Sequence, residues 1–132
     1  MAGLVLKMAP RERVLINGAV IENGSRRSRF SIITPNANVL RLKDAIHPDE
    51  ANTPLGRICY QLQLVISGIA PKEATQSEIV AQLDEISSIM TDPISHDQLS
   101  TAKRATLDEK FYSALKAVRQ LLPLEKALLS CG

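Results

Sequence analysis

Arg13-Val14-Leu15-Ile16-Asn17-Gly18-Ala19-Val20-Ile21-Glu22-Asn23-Gly24-Ser25-Arg26-Arg27-Ser28-Arg29-Phe30-Ser31-Ile32 is rich in β-branched residues and twice interrupted by Asn-Gly. Asn-Gly is the strongest short-range hairpin signal, because both residues accept the positive φ of a type I′ turn. Only Ala19-Val20-Ile21-Glu22 separates the two dipeptides, so the spacing predicts three consecutive strands at about 12–16, 19–22 and 25–34. Working outward, a strand at about 4–8 precedes Pro10, which interrupts pairing. After the turn Pro35-Asn36-Ala37-Asn38, a further strand spans 39–43. The expectation is an antiparallel β-meander of about five short strands.

Alternation along those strands is the most informative chemical pattern, since neighbouring side chains point to opposite faces. Phe30 and Ile32 oppose Arg27, Arg29 and Ser31; Leu40 and Leu42 oppose Arg41 and Lys43. Val14 and Ile16 oppose Arg13, with Arg11 entering on the side of Arg13. Leu4, Leu6 and Met8 oppose Lys7. If all strands share one sheet, the cations gather on one solvated face. Residues 1–46 hold eight basic side chains against three acidic ones, net +5, whereas residues 47–132 hold eight against eleven, net −3. A basic head on a mildly acidic body points to a polyanionic partner for the head. The plainer explanation is that lysine and arginine protect exposed strands from aggregation. The scarcity of acidic side chains among them favours a binding role, because a purely solubilising surface mixes both signs.

The rest of the chain reads as three to four helices. Thr53-Pro54 supplies an N-cap followed by proline in the first turn, opening a stripe of Leu55, Ile58, Cys59, Leu62, Val65, Ile66 and Ile69. Gly68 and Pro71 end it. Thr75-x-x-Glu78 has the form of a capping box leading to Ile79, Leu83, Ile86 and Met90. Asp92-Pro93 stops that helix, and Ser95-x-x-Gln98 can open another. Phe111, Leu115, Val118 and Leu122 share a face further on, and Pro123 must kink or end their helix. The fold class expected is α+β: a basic sheet unit over 1–46 and a helical region over 47–132, packed on the sheet as one domain. The apolar helix stripes are most simply core, with a partner interface as the competing reading.

Composition narrows the function classes. The 132 residues are 45% hydrophobic and 23% charged, with a net charge of +2, which is ordinary for a globular domain. Aromatics reach only 3%, namely Phe30, Tyr60, Phe111 and Tyr112, leaving little ring surface for stacking bases. No run approaches the length of a membrane span, and Met1 to Lys7 lacks the form of a signal peptide. Cys59 and Cys131 stand far apart without a CxxC, as in a reducing compartment, so a cytoplasmic protein is expected. No phosphate-binding glycine loop, dinucleotide fingerprint or zinc helix occurs. Ser95-His96-Asp97 has the residue types of a triad, but three consecutive residues at a helix start do not adopt its geometry, and capping accounts for Ser95 and Asp97. With two histidines and no Cys/His cluster, neither a metal, a cofactor nor catalysis is expected.

Beyond these patterns, Arg13 to Gly24 followed by Arg26-Arg27 strongly resembles the N-terminal signature of the FlbT family of flagellar regulators. Asp49-Glu50-Ala51-Asn52-Thr53-Pro54, leading to Arg57-Ile58 and Tyr60-Gln61-Leu62-Gln63, is similar to the same family, as is Phe111-Tyr112-x-Ala114-Leu115-Lys116. The resemblance covers most of the chain. It implies post-transcriptional control of flagellin synthesis in α-proteobacteria through the 5′ untranslated region of flagellin mRNA, typically by repression. A second small regulator, FlaF, is the implied counterpart. The family pattern has Pro-Gly-Glu-Arg in the first turn, where this chain has Pro10-Arg11-Glu12-Arg13, and Pro123 is a further departure.

Together these readings place an RNA-binding face on Arg13, Arg27, Arg29, Arg41 and Lys43, with Lys7, Arg11 and Arg26 at its rim. The alternative is a protein–protein adaptor working through its helices, with indirect effects on mRNA. Self-association of the chain stays open.

Overall fold

A computed structural model of the chain describes residues 4–35 and 37–131, with the side chain of Cys131 excepted. The Met1-Ala2-Gly3 start, Asn36 of the expected turn and the Cys131 thiol therefore lie outside the described residues. The chain divides into two compact units, residues 1–45 and 46–132.

The first unit carries five strands: β1 (Leu4–Met8), β2 (Arg13–Ile16), β3 (Ala19–Glu22), β4 (Ser28–Ile32) and β5 (Val39–Arg41). All pairings are antiparallel, but they form two sheets, one ordered β1-β4 and the other β3-β2-β5. This corrects the single meander. Asn17-Gly18 is the expected type I′ hairpin, with φ of 49° and 87° joining β2 to β3. Asn23-Gly24 does something else. The Asn23 side chain is buried, and its Nδ2 donates to the carbonyls of Met8 at 3.3 Å, Ala9 at 2.7 Å and Arg26 at 2.9 Å. Its Oδ1 accepts from Ser28 Oγ at 2.6 Å. The amide thus ties the chain after β3 to the end of β1, and residues 28–32 pair with β1 instead of β3.

Leu6, Met8 and Val14 are buried together, with Ile16, Phe30, Ile32 and Val39 packed against them, so side chains from both sheets form one apolar cluster. Between β1 and β2 the Glu12 N–H donates to the Ala9 carbonyl at 3.2 Å, and Arg11 takes φ 62°. Arg11 occupies a left-handed position after Pro10 that favours glycine. The strand expected over 39–43 ends at Arg41, and Leu42–Asp44 form a 3-10 turn.

The second unit is all helical: α1 (Pro54–Ile66), α2 (Lys72–Ser87), α3 (Pro93–Leu107), α4 (Phe111–Arg119) and α5 (Leu122–Cys131). There are thus five helices in the described residues, where three to four were expected. The additional helix follows from Pro123, which sits in the first turn of α5, where a missing N–H costs nothing, so it begins a helix. Thr53 caps α1, its Oγ1 accepting from the Gly56 N–H at 3.0 Å. Asp92, not Ser95, caps α3, accepting from the Ser95 N–H at 3.0 Å. The Thr75 capping box does not form either. With α2 starting at Lys72, Thr75 is already inside the helix and buried.

The core of this unit joins Leu55, Ile58 and Leu62 of α1, Ile79 and Leu83 of α2, Leu99 of α3, and Leu115 and Val118 of α4, all buried. Cys59 is fully buried among them, and desolvation pushes its thiol up to about 12, so it stays neutral and unreactive at physiological pH. Among the described residues, no helix is long and apolar enough to cross a membrane.

Candidate nucleic-acid interface

The cations of the first unit do not form one uniform face, because β-pairing sorts them into three environments. Directly opposed residues in an antiparallel pair share a face. In the two-stranded sheet Lys7 lies opposite Arg29, while Leu6 lies opposite Phe30 on the core side. Alternation puts both on the solvated side, and the β1–β4 pairing makes them neighbours there. Like charges set opposite each other weaken a strand pair, so this arrangement is not one that stability alone would select. Arg27 and Ser28 follow the bend before β4, and together with Lys43 they line a groove of about 600 Å³ that also includes Lys7, Arg29 and Glu12. Among the described residues, no carboxylate lies within ion-pair distance of Lys7, Arg27 or Arg29.

The second environment is the floor of that groove. The Glu12 side chain is only 6% exposed, and its Oε2 holds Arg41 Nη1 at 2.8 Å and Lys43 Nζ at 3.9 Å. Its Oε1 accepts from the Ala9 N–H at 2.9 Å. That N–H contributes most to holding the Glu12 carboxyl below its ordinary range; Arg41 and Lys43 add to it, and burial opposes them. Arg41 also donates to the Lys7 carbonyl at 3.1 Å. The arginine is thus a tie between sheets more than a free ligand group. Its face differs from the expected one as well. Val14 lies opposite Arg41, and Leu15 opposite Leu40, so Arg41 shares the side of Val14 while Arg13 shares the side of Leu15. The assumption that failed is that all aliphatics of β2 and β5 lie on one side; both sides of this ladder carry them.

The third environment is the outer end of β2 and β3. Glu22 Oε1 holds Arg13 Nε at 2.9 Å, and Glu22 Oε2 holds Arg11 Nη1 at 3.7 Å. Register explains it: Arg13 lies opposite Glu22. Arg26 is exposed near the bend but does not line the groove, and its carbonyl accepts from Asn23. Of the eight basic residues singled out from sequence, the fold brings Lys7, Arg27, Arg29 and Lys43 together, holds Arg41 beneath them, pairs Arg11 and Arg13 elsewhere, and leaves Arg26 aside. Sequence reasoning missed Glu12 as the anchor and Asn23 as the latch. The signal for Glu12 was an isolated acid inside a basic run.

Chemically, the groove offers two guanidinium forks and two ammonium groups to a polyanion, with the Ser28 hydroxyl beside them. Guanidinium groups meet phosphate oxygens bidentately, and ammonium groups act as point charges. Phe30 packs toward the apolar cluster, so it provides no stacking platform at the groove.

Comparison with known proteins adds kinship to this geometry. Residues 4–129 match the family model described as "Flagellar protein FlbT". The "Probable flagellum biosynthesis repressor protein FlbT" of Caulobacter vibrioides (strain NA1000 / CB15N) is 28% identical over 122 residues, covering 92% of this chain and 86% of that protein. "Probable flagellum biosynthesis repressor protein FlbT 1" of Bradyrhizobium diazoefficiens is 31% identical over 127 residues, covering 95% of this chain and 84% of that protein. The "Probable flagellum biosynthesis repressor protein FlbT" of Rhodopseudomonas palustris (strain TIE-1) is 30% identical over 129 residues, covering 96% of this chain and 98% of that protein. No solved structure matches.

Proposed function

The chain belongs to the FlbT family of flagellar proteins, and from that premise we propose that it is a cytoplasmic, non-enzymatic repressor of flagellum biosynthesis that binds the 5′ untranslated leader of flagellin mRNA. Lys7, Arg27, Arg29 and Lys43 hold phosphates of the leader in the groove of the first unit. The observation that carries this reading is the opposed Lys7–Arg29 pair, joined by Arg27, with no carboxylate within ion-pair distance of the three among the described residues. Glu12 fixes the groove floor without cancelling its charge, since one carboxylate faces Arg41 and Lys43 together. Phosphate contacts supply affinity and strong salt dependence, whereas sequence choice falls to unpaired bases met by arginine planes.

Titrating a flagellin leader RNA with Arg27→Ala/Arg29→Ala across a salt series tests it. Every phosphate that the variant no longer neutralises lowers the slope of log K against log salt by about 0.7 to 0.9. Unchanged affinity and slope would exclude the groove as the RNA site.

A second reading, an adaptor acting through a partner such as a FlaF-type regulator, is favoured by Ile89 and Ile94, which are 78% and 75% exposed beside the α2–α3 connection. Co-elution with that partner and no RNA retained at moderate salt would support it over leader binding.

A further inference from the structure

Helix α5 is built inside out. Over Leu122–Ser130 its one buried residue is Glu125, whereas Leu124, Leu128 and Leu129 are 37%, 54% and 58% exposed. Helix α4, by contrast, buries Phe111, Ala114, Leu115, Ala117 and Val118. Glu125 is what anchors α5: its Oε2 accepts from the Leu55 N–H at 2.8 Å, at the positive end of α1. A surface helix normally turns its leucines inward, so a helix held by one carboxylate with its leucines outward lacks a cover.

Beside it lies a cavity of about 500 Å³, walled on one side by Asp49 and Glu50 and on the other by Leu122, Glu125, Lys126 and Leu129. Its charges are unmatched. Among the described residues Lys126 has no carboxylate in ion-pair distance and Glu50 no cation, while Asp49 reaches only the imidazole of His47, at 3.4 Å. The acidic rim disfavours RNA here. It is instead self-complementary, because a lysine and two carboxylates around one cavity can pair across a two-fold axis.

We infer that α5 and this cavity form the surface on which a second copy of the chain docks. The α5 leucines of the two copies pack together, and Lys126 of each meets the Asp49–Glu50 rim of the other. In such an isologous contact the same patch serves both subunits. The patch is small, so the dimer is a weak, concentration-dependent one.

Sedimentation equilibrium of the full chain across the micromolar range is the test. The expected result is a reversible monomer–dimer equilibrium. Leu128→Lys/Leu129→Lys, at exposed positions that leave the melt intact, weakens it by about a hundredfold. Lys126→Glu also weakens it, and adding Glu50→Lys restores it, a rescue that a merely structural role would not produce. A wild-type chain that stays monomeric throughout overturns the inference. So does a dimer indifferent to the α5 variants but broken by Val20→Lys, which would put the contact on the exposed edge strand β3.

Discussion

Single residues decide how the two Asn-Gly dipeptides differ. Gly18 has φ of +87°, a conformation that side-chain-bearing residues adopt with strain, and an added Cβ would meet nothing within 4 Å. Gly24 has open space and no positive φ. Gly18→Ala should therefore cost about 1 kcal/mol or more, while Gly24→Ala should be neutral or stabilising by about 0.5 kcal/mol. Urea unfolding of both variants checks this, and equal losses would contradict the difference in backbone conformation between the two glycines. Arg11 provides the converse case. Its φ of 62° is a left-handed conformation that favours glycine, and its pair with Glu22 is exposed. Arg11→Gly should raise stability by about 0.5–1 kcal/mol, net of glycine's larger unfolded-state entropy. A loss in the same unfolding measurement would mean that the turn is not strained.

At the scale of elements, the turn between β1 and β2 and the start of the 3-10 turn after β5 meet on one carboxylate. Glu12 caps the turn through the Ala9 N–H and ties Arg41. Because its folded-state pKa lies below the unfolded one, its contribution to stability is fully present above the ordinary carboxylate range. That contribution is lost as pH falls through the folded value. Stability of the wild type should thus drop from about pH 5 downward, and Glu12→Gln should flatten that drop while lowering stability at neutral pH. Parallel pH-dependent melts of the two proteins would show it; identical acid slopes would mean that Glu12 is not the linked group. Helix boundaries at this scale were legible where the signal was local. Thr53-Pro54 capped α1 as read, and the faces carrying Ile58, Leu62, Leu83 and Leu115 turned inward. Thr75 and Ser95 misled because a capping pattern does not say whether an upstream residue has already opened the helix, and Pro71 and Asp92 had.

Across the whole molecule, the α+β class, five antiparallel strands and a helical remainder were legible in alternation, Asn-Gly spacing and helical stripes. The ladder order was not. It depends on where a buried amide finds its carbonyls, and Asn23 finds those of Met8 and Ala9, some fourteen residues away in the chain. The site was half legible for the same reason. Alternation put Lys7 and Arg29 on the solvated side, but the β1–β4 pairing that sets them side by side, the register of β5 and the reach of Glu12 and Glu22 are tertiary facts, and the last two withdrew Arg41, Arg11 and Arg13 from the open groove.

If the position of charge, not its amount, binds the leader, two variants that each remove two arginines must behave differently. One is Arg27→Ala/Arg29→Ala in the groove, and the other is Arg11→Ala/Arg13→Ala on Glu22. Binding of a flagellin leader RNA measured across a salt series should lose about 1.4 to 1.8 units of slope in the groove variant and almost none in the other. Equal losses in both, or none in either, would contradict it.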